Sequence, residues 1–119
     1  MTILATIAVL FVAALHLYFL VLEMFFWDTP LGRRVFKLTP EFSLASKALA
    51  ANQGLYNGFL VAGLVWGATL GPAGTAVKIF FLACVIVAGV FGAFTVGSKI
   101  LWVQALPGAI ALALVLAAA

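Results

Sequence analysis

At 119 residues, 67% hydrophobic and 8% charged, with a mean hydropathy of +1.33, the chain cannot clothe a soluble domain in a wettable surface. Its net charge of +3 does not mark a nucleic-acid binder, because the bases gather in one segment beside apolar runs instead of covering a face. The composition is that of an integral membrane protein. Four stretches approach the ~20 residues that a spanning helix needs. They predict an all-α four-helix bundle, a single transmembrane domain over 1–119, with helices at about 3–27, 40–70, 77–96 and 100–118.

The first stretch, Ile3 to Trp27, has no Lys or Arg ahead of its apolar run and no small-x-small cleavage site behind it, so it reads as a helix and not as a signal peptide. Inside it lies Glu23. A carboxylate at bilayer centre is disfavoured by roughly 3 kcal/mol on insertion scales, so an acid kept there marks a working site. His16 lies two turns earlier on the same stripe, with Leu20 between them and Trp27 beyond. The run Trp27-Asp28-Thr29-Pro30-Leu31-Gly32 reads as an interfacial aromatic followed by a turn in which Pro30 and Gly32 stop the helix.

Thr39-Pro40-Glu41 has the form of an N-cap, a first-turn proline and an acid on the positive end of the helix dipole, so the second helix is predicted to start near residue 40. It carries the densest polar run, Asn52-Gln53-Gly54-Leu55-Tyr56-Asn57-Gly58. Asn52 with Tyr56, and Gln53 with Asn57, are four apart and occupy one broad face. Their plainest role is hydrogen bonding between helices. Gly54 with Gly58 and Gly63 with Gly67 form two G-x-x-x-G spacings, faces that exceed what a thin bundle obviously needs, so a homo-oligomer, dimer or trimer, is expected.

Gly71-Pro72-Ala73-Gly74 is the next joint, and Gly97-Ser98 separates the third and fourth helices. Cys84 stands alone within the third helix, which excludes an internal disulfide and a thiolate metal cluster and leaves a small core hydrophobe. No metal site is expected. A haem ligated by His16 has nothing in the sequence to support it beyond that histidine.

Arg33, Arg34, Lys37 and Lys47 lie between the first two helices and Lys99 between the last two, against Lys78 alone on the other side. The positive-inside rule then places both termini on the non-cytoplasmic side. With Trp27 and Lys47 as interface markers, Glu23 lies roughly 6 Å deep at 1.5 Å per residue, level with Asn52 and Gln53. Tyr56, Asn57 and Gln104 fall nearby. The expected site is therefore a polar pocket open toward the cytoplasmic half, with Glu23 and His16 as the reactive pair and Asn52, Gln53, Tyr56, Asn57, Gln104 and Trp27 around the substrate.

Several of these residues are familiar together. His16, Glu23 and Trp27, the run Ala51-Asn52-Gln53-Gly54-Leu55-Tyr56-Asn57-Gly58-Phe59-Leu60, and Lys99 with Val103-Gln104-Ala105-Leu106-Pro107 closely resemble the family called domain of unknown function 1304. That resemblance implies a small multi-pass protein of the bacterial inner membrane, in a family without an assigned activity. Ala51-Asn52-Gln53 followed by Phe59-Leu60 is also loosely similar to the second helix of the membrane-associated eicosanoid and glutathione enzymes. Those enzymes hold glutathione with arginines on that helix, and none lies between Ala48 and Leu70 here. What carries over is an architecture and a lipophilic substrate.

Three kinds of function fit these residues. In an enzyme, Glu23 would be a general acid or proton shuttle for isomerisation or epoxide opening of a small lipophilic substrate. In a transporter resembling the small multidrug exporters, Glu23 would exchange protons for a cationic molecule. An accessory membrane subunit would do no chemistry. The amide-rich second helix favours the first, because fixed donors suit an oriented substrate better than a promiscuous cation.

Overall fold

The computed structural model describes residues 2–119 and is helical throughout, with no strand among the described residues. In chain order it has α1 (Thr2–Phe25), α2 (Pro30–Phe36), α3 (Pro40–Ala45), α4 (Lys47–Thr69), a 3-10 turn (Gly71–Gly74), α5 (Thr75–Thr95), a π-helical turn (Leu101–Ala105) and α6 (Leu106–Ala118). Three segments, Thr2–Phe25, Gly71–Thr95 and Leu101–Ala118, are long and apolar enough to cross a membrane. The fourth long helix, α4, falls outside that set, because its Asn-Gln-Tyr-Asn run dilutes its apolar residues. Large hydrophobic side chains stand outward along the apolar helices, among them Ile3, Phe80, Val87, Phe91 and Phe94, as a membrane protein requires and a soluble one avoids.

The joints differ from the expected ones in instructive ways. Helix α1 stops at Phe25, two residues short of Trp27. The predicted turn after it contains a helix of its own: Thr29 caps α2, its hydroxyl accepting the Gly32 N–H at 3.3 Å, and Pro30 takes the first helical position, where its missing N–H removes nothing. Lys37 ends α2 in the left-handed conformation at φ 55°. Thr39 caps α3 as expected, its hydroxyl accepting the Phe42 N–H, but the predicted helix over 40–70 is broken at Ser46 into α3 and α4.

The chain divides into two compact units, Met1–Ala14 with Leu60–Ala119, and Leu15–Phe59. The first unit has an apolar core of Ala5, Val9, Val12, Ala13, Leu64, Leu82, Val85, Ala111 and Val115. Here Gly63 faces the Phe81 ring and Gly67 faces Lys78, so this G-x-x-x-G spacing is filled by α5 of the same chain. Pro107 cannot donate to a helical carbonyl, and just ahead of it the chain widens into the π turn, where the Leu106 N–H reaches back to Leu101 O. Gly89 then admits the Ala105 backbone of that turn: a Cβ at Gly89 would lie 2.8 Å from Ala105 N.

The second unit is built differently. The buried polar side chains of the described residues, His16, Ser43 and Asn57, all lie in it. Its glycine spacing is also used internally, since a Cβ on Gly54 would meet Met24 Cγ at 2.5 Å and Leu20 O at 3.2 Å, and one on Gly58 would meet Leu20 Cδ1 at 3.0 Å. Both spacings serve packing within the chain, so the glycines are not surplus faces for an oligomer.

Candidate functional site

Gly54 determines the site's geometry. With no side chain at that position, α4 lies close against the last turns of α1, and Asn57, nearly one turn further along α4, comes level with Glu23. The Asn57 Nδ2 amide donates to Glu23 Oε1 at 2.5 Å. Asn57 is buried, at 7% exposure, whereas Glu23 is half-buried, so one carboxyl oxygen is held and the group keeps an open side. The acid's partner is an amide and not a cation. That matters chemically, because an amide carries both a donor and an acceptor. It can donate to a carboxylate or, turned over, accept from a carboxylic acid, so the pair survives a change of protonation.

The other sequence-selected residues are distributed around this pair or away from it. His16 is fully buried two turns earlier on α1, with its ring edge-on to Phe19 at 5.5 Å between centroids. Gln53 precedes Asn57 by four residues on α4 and is exposed beside it. Asn52 and Tyr56 are exposed on the outer side of the helix, the Tyr56 ring resting edge-on against Phe59. None of Asn52, Gln53 and Tyr56 has a side-chain hydrogen bond among the described residues. Gln104 lies in the other unit, where its Nε2 donates to the carbonyl of Val85 at 3.2 Å, a structural bond between the π turn and α5. Among the described residues no group of three or more His, Cys, Asp or Glu side chains could hold a metal ion.

Trp27 turns out to be an anchor. Its Nε1 donates to Ser46 Oγ at 3.0 Å, and its ring packs on Phe36 at 4.8 Å, which ties the end of α1 to α2 and to the start of α4. Beside it Asp28 organises the connecting segment, a role that composition and spacing did not reveal. Its Oδ1 accepts the Ser43 hydroxyl at 2.6 Å and pairs with Arg33 Nη1 at 3.0 Å. A usable signal was present in Asp28 and Arg33, five residues apart across a Thr-Pro helix start. The burial of Ser43 had no signal at all.

These two sets of bonds work together. The Trp27 and Asp28 contacts hold α3 and the start of α4 against the end of α1, which fixes the register in which Asn57 meets Glu23. Asp28→Ala is expected to lower stability by about 1–3 kcal/mol, since it leaves the buried Ser43 hydroxyl and the Arg33 guanidinium without this acceptor. Thermal unfolding in detergent measures it, and an unchanged midpoint would remove Asp28 from its organising role.

Comparison with known proteins agrees over nearly the whole chain. An uncharacterized protein, YpaA, from Lactococcus lactis subsp. lactis (strain IL1403) is 32% identical over 106 residues, covering 87% of this chain and 89% of the relative. No solved structure matches the chain significantly. Neither finding extends to the eicosanoid and glutathione enzymes. The family described as "Protein of unknown function (DUF1304)" matches residues 10–116, a span that takes in Glu23, Asn57, the Asp28 cluster, α4, α5 and most of α6, and the chain belongs to that family.

Proposed function

We propose that the chain is a four-pass protein of the bacterial cell membrane that uses Glu23 as an acid/base group on a small lipophilic molecule. The observation that carries this reading is the Glu23–Asn57 pair: an acid on an apolar helix, half-open, held by a partner that tolerates both of its protonation states. Isomerisation suits it best, because a proton given at one atom of the substrate is balanced by one removed at another and no co-reactant is needed. Gln53, exposed next to Asn57, is the polar side chain best placed to orient such a molecule.

In this reading α4 is the fourth pass, supported by its 23-residue length and by the apolar run from Phe59 to Trp66. The basic residues Arg33, Arg34, Lys37 and Lys47 put the segment between α1 and α4 in the cytoplasm, and both termini on the far side. A reporter active only in the cytoplasm, fused after Ala119, is expected to give no signal. A strong signal would invert the orientation.

The chemistry is tested by extracting purified protein with organic solvent and identifying the extract by mass spectrometry. An apolar compound at stoichiometric level in the wild type, depleted in Glu23→Gln, is expected. A cationic compound would instead favour a proton-coupled exporter, and equal recovery from both proteins would remove Glu23 from the site.

A further inference from the structure

On α4, Leu49, Asn52, Gln53, Tyr56 and Phe59 are all exposed, and their spacing of three or four residues sets them in one stripe along the helix. At its centre are the three side chains that have no hydrogen bond among the described residues, Asn52, Gln53 and Tyr56. Together they carry two amides and a phenol, each able both to donate and to accept. In hydrocarbon such groups require partners, since no water is there to supply them.

We infer that this stripe is the contact with a second copy of the same chain. Three features of the stripe select that occupant over another. It is uncharged, so two copies meet without repulsion. Amides and phenols are complementary to themselves, so an isologous contact, in which the same patch faces itself, satisfies both copies at once. Its apolar members, Leu49 at 75% exposure and Phe59 at 53%, flank the polar centre and cover it from lipid when two stripes meet. The Gly54 and Gly58 face of α4 is already occupied by α1 of the same chain, and the stripe lies on the opposite side of that stretch of helix. The inference rests on the proposed passage of α4 through the bilayer and not on the chemistry of Glu23.

The test uses single cysteines in the full chain in native membranes, in a Cys84→Ser background. Tyr56→Cys and Leu49→Cys are expected to form a disulfide-linked species of twice the chain mass on mild oxidation, whereas Val87→Cys, equally outward on α5, stays monomeric. Asn52→Leu combined with Gln53→Leu is expected to abolish the cross-link at Tyr56→Cys. A membrane-impermeant maleimide distinguishes the two ways of failing. If it labels Tyr56→Cys from the water and no cross-link forms, the passage of α4 through the bilayer is wrong at this level. If Tyr56→Cys is protected from it yet does not cross-link, or if only Val87→Cys cross-links, α4 spans as proposed and the contact between copies is overturned.

Discussion

Glu23→Gln is expected to lose ligand binding or turnover by roughly 10²–10⁴-fold, the range over which a positioned acid or base acts, while the protein folds as before. Glutamine keeps the shape of glutamate and offers an amide oxygen to the Asn57 Nδ2 group, so the contact between α1 and α4 persists without the exchangeable proton. Asn57→Leu separates the roles from the other side. It keeps the number of side-chain heavy atoms at a position that is 7% exposed but leaves the Glu23 carboxyl without its partner, and is expected to cost about 1–3 kcal/mol of stability. The two variants together form a direct comparison of midpoints in a denaturant or thermal titration. Should Glu23→Gln unfold the protein and Asn57→Leu leave it unchanged, the acid would be a structural strut and the proposed chemistry would fail.

Three segments, Thr2–Phe25, Gly71–Thr95 and Leu101–Ala118, were legible because apolar runs of ~20 residues have the length that a bilayer requires. Glu23 and Asn57 were legible for the complementary reason, as polar residues inside such runs. The direction in which the α4 amides point was not. On α4 polar and apolar residues are both found on the exposed side, so polar periodicity does not separate core from surface. The useful mark was Gly54, which identifies the α1-facing side and hence sends Asn57 inward and Asn52 and Tyr56 outward.

The connecting segment gives a second lesson. Thr29-Pro30 and Thr39-Pro40 carry the same signature, a capping hydroxyl followed by a proline in the first turn, and both start helices. In the run Trp27 to Gly32, Pro30 and Gly32 signal the end of the preceding helix, and the helix that Pro30 itself starts is masked by that signal. Proline ends what comes before it and permits what comes after it, and here both statements are true. Gln104 has a structural partner that the sequence does not announce. Pro107 perturbs the helix around it, and the amide bonds to the Val85 carbonyl in that irregular stretch, a local need that equal depth along two helices cannot anticipate.

Gly32→Ala is expected to be among the most damaging single substitutions in the chain, although it adds one carbon on a short helix outside the long apolar segments. The new Cβ would lie 2.1 Å from the carbonyl oxygen of Phe26 and 2.5 Å from that of Trp27, and backbone atoms cannot rotate aside as a side chain can. The Phe26 carbonyl also accepts the Thr29 hydroxyl at 2.6 Å, and that hydroxyl in turn accepts the Gly32 N–H. Relief of the clash must therefore open the cap of α2 and shift Trp27 and Asp28, which hold Ser46 and Ser43. A loss of about 3 kcal/mol is expected, at the upper end for overpacking. Gly97→Ala is the control, because nothing lies within 4 Å of its added carbon, and it should change stability by less than ~0.5 kcal/mol. If Gly32→Ala matches that control, the turn after α1 is looser than its bonds imply. If it is destabilised as expected, it should also lose whatever Glu23 binds, because the displaced Trp27–Ser46 tie is what sets Asn57 opposite the acid.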